Sequence, residues 1–442
     1  MHRSLKALSV ITIATLGTAL SSSAANAAGF YIQEQSVSGL GAAFSGSTTS
    51  LNDPSTVYFN PAGMTRLNGI QGQLGAHLLL PNSELTDTGS TGPAALGSLP
   101  ISGGDGGNPY DPTPVPNAFL TYQVNDQLWA GLALSAPFGL ANEYDSDWFG
   151  RFDSIKTELT TIDIQPSVAF KINDRVSIGG GINIQYADAE LTSAANPVLG
   201  GGTEGVSTLK GDDWSVGYNI GLQANPWEGG TIGLSYRSAV SHELEGRIIS
   251  EGTTSADFDV SGTADLDLPD IATFGVAQDV NDKWKVMGQA TWFGWNNFED
   301  ITAVTNENIS IIGGAITRSP GDVVSSVTQN YQTTWALALG TEYDYSDEWT
   351  FRGGVQFDET PTTDEFRTSR TPDGDRTWLS GGATYNINDR LSVDMAATYI
   401  WIDSETIDVS RNNSFSTAVQ TEVEADTEGN VGIVAVGLTY KF

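Results

Sequence analysis

The feature that most constrains the fold of this chain is a short polar turn that recurs six times and is followed each time by alternating apolar and polar residues. Asn, Asp, Ser or Pro stands where a tight turn needs it. A period of two is typical of a β-strand whose two faces meet different surroundings. The turns are QVNDQLW (123–129), KINDRVS (171–177), ANPWEGGTIG (224–233), DVNDKWK (279–285), YSDEWTF (345–351) and NINDRLS (386–392).

The spacing of these turns predicts fourteen strands. Successive turns are about 40–65 residues apart, which is enough for two long strands and one long loop. Six short turns at one end of the structure, with both chain ends at that same end, require seven hairpins. An even number of strands agrees with a closed bacterial barrel, in which one set of connections is short and the other long.

The two faces of these strands indicate a membrane barrel. After the fourth turn one face carries Trp284, Val286, Gly288, Ala290 and Trp292, and after the sixth it carries Leu391, Val393, Met395, Ala397, Tyr399 and Trp401. Aromatic residues at the ends of apolar faces are typical of girdles at the two membrane interfaces. The last strand ends in Phe442, a feature associated with recognition by the barrel-assembly machinery. A soluble β-sandwich alternates too, but it hides its apolar face inside.

The composition agrees with an exported barrel and excludes other classes. Residues 1–27 have the positive start, the apolar stretch and the Ala25-Asn26-Ala27 cleavage site of a signal peptide. Their removal takes away two basic residues and changes the net charge from −33 to −35, which argues against binding to nucleic acid. The chain has no Cys, and its mature part has no run of about 18 apolar residues that would indicate a membrane helix.

A barrel of this strand number is too wide for its own side chains to fill. Residues 28–68 precede the first long alternating run, 69–80, and combine Gly, Ser, Thr and Asn with two apolar clusters and no regular period. Irregular backbone at membrane depth is tolerated only where protein surrounds it. The sequence therefore predicts a signal peptide (1–27), a plug inside the lumen (28–68) and a barrel with long outer loops (69–442).

Ordered fragments along the whole mature chain resemble one family. AGFYIQEQSVSGLGAAFSG and DPSTVYFNPAGMTRL are similar to the N-terminal hatch of the long-chain fatty acid transporters of the Gram-negative outer membrane. Asn60, Pro61 and Ala62 match the Asn-Pro-Ala motif of that hatch. The resemblance continues through APFGLANEYD (136–145), GLSYRSAV (233–240), EWTFRGGVQFDETP (348–361) and PDGDRTWLSGGATY (372–385).

The resemblance implies an all-β barrel of fourteen antiparallel strands with a hatch and no open water channel. It implies that hydrophobic ligand binds first in a groove between outer loops and then in a lumenal pocket. Residues at the mature N-terminus, here Ala28, Gly29 and Phe30, are expected to line part of that pocket. A movement of the hatch then opens a path for the ligand.

The resemblance also implies a kink in the third strand that offers the ligand a lateral exit into the membrane. This strand is predicted from Leu128 to Pro137, and Pro137 is expected at its outer end because Pro cannot donate to the ladder. Gly131 is the expected position of a kink within the strand. Phe138 and Gly139 follow the strand and complete the predicted exit region.

A fatty acid carries a carboxylate into a dry pocket, where it needs a cation or a hydrogen-bond donor. Arg237 and Arg352 alternate with membrane-facing neighbours and are expected to point inward, and Arg376 lies near a loop. The sequence does not choose among these three candidates. His77 and His242, the two His residues of the mature chain, have no Ser and Asp partners in a motif. No catalytic residue, metal or cofactor is therefore predicted.

The sequence thus predicts a monomeric outer-membrane transporter, not an enzyme, that takes up long-chain fatty acids or similar hydrophobic molecules passively. Its expected partners are the ligand, outer-membrane lipid and lipopolysaccharide, and the barrel-assembly machinery during biogenesis. Both chain ends are expected on the periplasmic side. Uptake of aromatic or alkane hydrocarbons is the alternative, and a general porin is a third hypothesis.

Overall fold

The computed structural model of the chain describes residues 29–94, 99–195, 204–253, 256–413 and 416–442. Within them, 14 antiparallel strands close into a barrel, because the last strand pairs with the first. The predicted class and strand number are confirmed. The predicted signal peptide and Ala28 lie outside the described residues.

Five of the strands are interrupted and consist of two segments each. The strands are β1 (Ile70–Asp87), β2 (Thr113–Gln123), β3 (Leu128–Ser135 and Gly139–Glu143), β4 (Lys156–Asn173), β5 (Val176–Ala195), β6 (Gly205–Ala224), β7 (Gly230–Arg237 and Val240–Glu251), β8 (Phe258–Leu268 and Ile271–Asp279), β9 (Trp284–Phe293 and Asp300–Thr305), β10 (Val323–Thr328 and Thr334–Asp344), β11 (Trp349–Asp358), β12 (Arg376–Asn388), β13 (Leu391–Asn413) and β14 (Ser416–Lys441).

Four of the six short turns share one local geometry. The side-chain oxygen of Asn125 accepts hydrogen bonds from the backbone N–H groups of Gln127 (2.9 Å) and Leu128 (3.0 Å). Asn173, Asn281 and Asn388 accept the same pair of bonds in their own turns. Such a side-chain bond to the backbone two or three residues on closes a tight turn locally, and the sequence motif is therefore sufficient to place these turns.

The wall of the barrel has an apolar outer face and a buried inner face. On β1, the outward side chain of Leu74 is 64% exposed, whereas the inward side chains of Gln73 and His77 are 4% and 1% exposed. The ring of Trp284 lies 4.5 Å from that of Tyr343 near the short turns. Tyr399 and Trp401 form a similar pair, 4.8 Å apart, near the opposite end of the wall. These pairs occupy the positions of two aromatic girdles.

Residues 29–68, called the inner segment below, pack within the lumen. The segment contains α1 (Val37–Leu40), α2 (Thr56–Phe59) and a 3-10 helix (Pro61–Arg66). The first helix contacts β12 and β13, while the 3-10 helix contacts β4, β5 and β6 on another side of the wall. Among the described residues, none of the helices has the length and apolar character needed to cross a membrane.

Two boundaries differ from those predicted. The predicted end of the third strand at Pro137 is wrong, because pairing with β4 resumes at Gly139. Between the fourth and fifth short turns, where the sequence predicts a long outer loop, residues 301–324 instead continue β9 and β10 and include a small hairpin of Ile309–Ile311 with Ile316–Arg318. Ile309 and Ile311 pack in an apolar cluster with Ile248, so this connection has a small core of its own.

Candidate functional site

The Asn-Pro-Ala motif joins two turns of the inner segment to the wall. Asn60 is fully buried, and its side-chain oxygen accepts a hydrogen bond from Ala62 N (3.2 Å) at the start of the 3-10 helix. Its amide nitrogen donates to the carbonyls of Thr48 (3.0 Å) and Leu222 (3.1 Å). Pro61 occupies the first turn of that helix, where the missing N–H is harmless. One side chain therefore caps a helix, closes the segment on itself and ties it to β6.

Two wall glycines allow this close approach. A Cβ atom at Gly179 of β5 would stand 2.6 Å from Ala62 N, and one at Gly221 of β6 would overlap the side-chain oxygen of Asn60. Any larger residue at these positions would push the motif away from the wall.

The third strand is interrupted where the inner segment meets it. Ile32 N donates to Pro137 O (2.8 Å), and Gly139 N donates to Phe30 O (2.9 Å). Tyr31 and Phe138 form an antiparallel bridge between these two bonds. The inner segment therefore pairs with β3 at the interruption as a short extra strand.

The same interruption leaves a gap in the wall between β2 and β3. Pairing of these strands ends at Ala118 and Leu134, and Gly139–Glu143 pairs with β4. In the described part of the chain, residues 113–117 of β2 pair with β1 only. Gly131 lies below the gap and pairs in unbroken register with Thr121 and Ser167. The break therefore lies at 136–138 and not at Gly131.

An apolar pocket lies beside this interruption, and the space between its lining residues amounts to about 750 Å³ when the part open to solvent is included. Its apolar walls include Phe30, Leu140, Leu159, Leu244, Leu266 and Phe298. These residues belong to one buried cluster that also contains Phe138. Apolar side chains are therefore continuous from the pocket to the interruption of β3.

One buried cation lies at the edge of the pocket. Arg370 is 8% exposed and donates to Thr157 Oγ1 (3.2 Å) and to the carbonyls of Lys156 (3.2 Å) and Thr192 (3.3 Å). Among the described residues it forms no salt bridge. Burial lowers the pKa of Arg370 to about 10, so the side chain remains charged at neutral pH.

The acid whose charge acts on Arg370 is already engaged elsewhere. Asp153 accepts hydrogen bonds from Arg411 Nε (2.7 Å) and from Ser369 N (3.0 Å). Although burial raises the pKa of Asp153, the charges of Arg411 and Arg370 outweigh that effect and hold it below its usual value. Asp153 is therefore bound mainly by Arg411 and Ser369, and Arg370 can still bind a second anion.

Arg370 also connects the pocket to a wider cavity at the long-loop end of the barrel. This outer cavity encloses about 1900 Å³, including space open to solvent. It is lined by Asp153, Arg411 and several hydroxyl side chains, and it shares Leu191, Leu209, Ile301 and Arg370 with the apolar pocket. The guanidinium of Arg370 therefore lies where the two cavities adjoin.

The three arginines that the sequence analysis singled out are all paired inside the protein. Arg237 binds Asp163 (2.8 Å), and Arg352 binds Glu342 (2.8 Å). Arg376 forms a short ion pair with Asp373. None of the three lines the apolar pocket, so the structure gives them partners of their own.

Of the predicted N-terminal residues, Phe30 lines the pocket and Gly29 N donates to Asp373 Oδ2 (2.8 Å). Arg370 was missed because nothing in its local sequence, TSRTPDGD, distinguishes it from the paired Arg367 and Arg376. The only available signal was the density of Ser, Thr and Arg in residues 360–371, which is unusual in a chain with a net charge of −33.

Comparison with known proteins finds one family over most of the chain. Residues 18–442 match the model of a family described as "Outer membrane protein transport protein (OMPP1/FadL/TodX)". The long-chain fatty acid transport protein of Escherichia coli strain K12 is 28% identical over 425 residues, which span 87% of this chain and 90% of that protein. The corresponding protein of Salmonella typhi is 28% identical over 413 residues, with coverages of 87% and 90%.

Solved structures share the fold. A Pseudomonas aeruginosa FadL homologue superposes with a TM-score of 0.85 at 24% identity, covering 94% of this chain and 100% of the homologue. The toluene transporter TodX of P. putida superposes with a TM-score of 0.66 at 15% identity, covering 91% and 98%. The chain therefore belongs to the OMPP1/FadL/TodX family of outer membrane proteins, whose members are transport channels for hydrophobic compounds and not enzymes, as the sequence predicts.

Proposed function

We propose that this protein takes up long-chain fatty acids, with the acyl chain in the apolar pocket and the carboxylate on Arg370. The observation that carries this proposal is a buried guanidinium that lies at the edge of an apolar cavity and forms no salt bridge in the described part of the chain. A buried charge is stabilised by an ionic partner. A carboxylate attached to a hydrocarbon chain fits both parts of the site at once.

The acyl chain and the carboxylate of such a ligand contribute separately to the free energy of binding. Each CH₂ group transferred from water to the pocket contributes about 0.8 kcal/mol, which favours long chains without selecting a head group. A hydrogen bond between the carboxylate and Arg370 contributes roughly 1.5–3 kcal/mol. Partition drives the uptake, and no energy source is required.

Binding of oleate and of oleyl alcohol to the purified protein, with and without Arg370→Gln, tests this proposal. Loss of the guanidinium should weaken oleate binding by roughly 10- to 150-fold, while the affinity for the alcohol changes little. Arg175→Gln, in an exposed short turn, is the matched control and should leave both affinities unchanged. Equal losses for the acid and the alcohol would refute the proposed role of Arg370.

A second candidate, uptake of aromatic hydrocarbons, is favoured by the rings around Phe30. The ring centroids of Trp295 and Phe298 lie 4.7 and 5.2 Å from that of Phe30 in edge-to-face geometry. This geometry also suits a flat aromatic ligand, and one structural relative is named as a toluene transporter. Growth of a deletion strain, complemented with this gene, on oleate, toluene or hexadecane distinguishes the candidates.

We further propose that the inner segment acts as a hatch and that the gap between β2 and β3 is a lateral exit to the membrane, with the short turns and both chain ends on the periplasmic side. The contacts of the segment with several sides of the wall support the first part. The apolar cluster that runs from the pocket to Phe138 supports the second.

Bridging the gap chemically tests the exit. Thr113→Cys and Gly139→Cys place the only two thiols of the chain on its two sides, because the natural chain has no Cys. Coupling them with a short bis-maleimide should stop uptake without changing ligand affinity, whereas either single mutant treated in the same way should transport normally. Conductance in planar bilayers tests the hatch, since large open steps by the intact protein would instead support a general porin.

A further inference from the structure

At its interruption, β3 forms backbone hydrogen bonds with the inner segment instead of with β2. Alternate residues of a strand direct their N–H and C=O groups to opposite neighbours. Thr161 of β4 bonds both backbone groups of Phe138: its hydroxyl accepts from Phe138 N (2.9 Å), and its N–H donates to Phe138 O (3.2 Å). Pro137 and Gly139 therefore direct their groups to the other edge, where β2 pairs with the lower half of β3.

At that edge the inner segment takes the place of β2. Pro137 O accepts from Ile32 N, and Gly139 N donates to Phe30 O. Backbone groups buried in a membrane protein need partners, and here the inner segment supplies them. The same two groups cannot bond β2 while Phe30 and Ile32 hold them.

The side chain of Gln35 also replaces β2 as a hydrogen-bond partner of β3. Its carboxamide donates from Nε2 to Ala136 O (2.8 Å) and accepts from Ala136 N (3.4 Å) through Oε1. The amide therefore forms the pair of bonds that a peptide group of a neighbouring strand would form. Gln35 is fully buried, and a second bond from Nε2 to Ile32 O (3.3 Å) orients its amide.

We propose that Gln35 is a positioning residue that, together with Phe30 and Ile32, keeps β3 paired with the inner segment and so holds the wall open between β2 and β3. Pairing of β3 with the inner segment and pairing of β3 with β2 above Leu134 are then mutually exclusive. The inner segment blocks the lumen and at the same time maintains the lateral opening. The expected effect on transport rests on the proposed lateral exit. The coupling, by which the inner segment keeps β2 from pairing with β3, does not.

The register of the wall predicts what happens when the coupling is lost. Continuing the pairing of Ala118 with Leu134 by the same register places Thr113 opposite Gly139. Without the inner segment, the free groups of β3 find their nearest partners on the unpaired edge of β2. The two strands should therefore close in that register, as an exposed strand edge does when a neighbouring strand is within reach.

Disulfide formation between Thr113→Cys and Gly139→Cys measures this closure directly. We expect little disulfide in the double-cysteine protein and at least about fivefold more when Gln35→Met is added, the effect of one lost hydrogen bond on an equilibrium. Methionine keeps the length of the side chain and removes the two hydrogen bonds to Ala136. Heat-modifiable migration on gels verifies that each variant is a folded barrel.

Gln33→Met is the matched control. Gln33 also lies buried in the inner segment, but its oxygen accepts from Gln356 Nε2 (2.8 Å) on β11, which is not interrupted. This variant should leave the disulfide yield at the level of the double-cysteine parent. Equal yields in the Gln35→Met and Gln33→Met proteins, or efficient disulfide formation in the parent itself, would overturn the coupling.

Oleate uptake and oleate affinity, measured with the natural cysteine-free chain, complete the test. Gln35→Met should slow uptake while the dissociation constant for oleate stays unchanged, and Gln33→Met should alter neither. A rise in disulfide yield with unchanged uptake would support the role of Gln35 and overturn the lateral exit. The two proposals therefore fail in different ways.

Discussion

Replacement of Asn60 by Ala should release the inner segment without weakening the barrel. The substitution removes the hydrogen bonds from the Asn60 amide to Thr48 O and Leu222 O, each of which contributes about 1 kcal/mol. It also removes the cap on Ala62 N, a loss of about 1 kcal/mol at an ordinary helix start. Thr48 O keeps its bond from Gln223 Nε2 (2.7 Å), which limits the total to about 2–3 kcal/mol.

This loss should raise the population of undocked inner segment by roughly 30- to 150-fold. Hydrogen exchange detected by mass spectrometry measures it at amides that are bonded only within the segment. Leu40 N donates to Ser36 O (2.9 Å), and Ser50 N donates to Gly46 O (2.8 Å). Exchange at both should accelerate by the same factor, while amides of the wall ladder retain their protection. Uptake should slow if the segment has to return to its docked position in each cycle.

Asn52→Ala is the control, because Asn52 is an exposed residue of the same segment and its loss should leave exchange unchanged. An acceleration of less than about threefold in Asn60→Ala would refute the assigned bonds, each of which alone accounts for about fivefold. A parallel loss of heat resistance of the barrel would refute the separation between inner segment and wall.

Other perturbations of the inner segment have defined outcomes. Burial raises the pKa of Glu34 from 4.5 to about 7, so docking of the inner segment is coupled to uptake of a proton. Docking is therefore strongest below pH 4.5 and loses roughly 3 kcal/mol as the pH rises through 7. In Glu34→Gln, hydrogen exchange of the inner segment, corrected for the intrinsic exchange rate at each pH, should lose this pH dependence. Gly131→Val should loosen docking by about 1–3 kcal/mol, because a Cβ there overlaps Met64 Sδ and lies 2.9 Å from Val57, whereas Gly72→Val, where the nearest atom is 3.6 Å away, should not. A barrel lacking residues 29–66 should show open conductance steps that the intact protein lacks, and equal conductance would contradict the hatch.

The sequence predicted the wall because the wall is built from local signals. Asn125 and its counterparts close their turns by bonds to residues two and three positions on, and this geometry needs no distant partner. Alternation fixes which side chains face outward, and the number of turns fixes the number of strands. The Asn-Pro-Ala motif was recognisable for the same reason, since Asn60 caps the helix that follows it directly.

The candidate site was less predictable because its properties depend on partners far along the chain. Pro137 reads locally as the end of a strand, and β3 resumes only because Phe30 and Ile32, more than 100 residues earlier, supply its missing hydrogen bonds. Arg370 and Arg376 are indistinguishable in their local sequence. Their roles separate because Asp373 pairs with Arg376, whereas Arg370 is surrounded by hydroxyl and carbonyl groups of β4 and β5.

The sequence by itself determined a fourteen-stranded barrel with a compact segment at its start, because periodicity and turn chemistry act over a few residues. Only the tertiary structure decided where the wall opens and that Arg370, buried beside the pocket, forms no salt bridge with any described residue. Both depend on whether a buried polar group meets a partner in space, and the free energy of burying such a group is set by that partner and not by its neighbours in sequence.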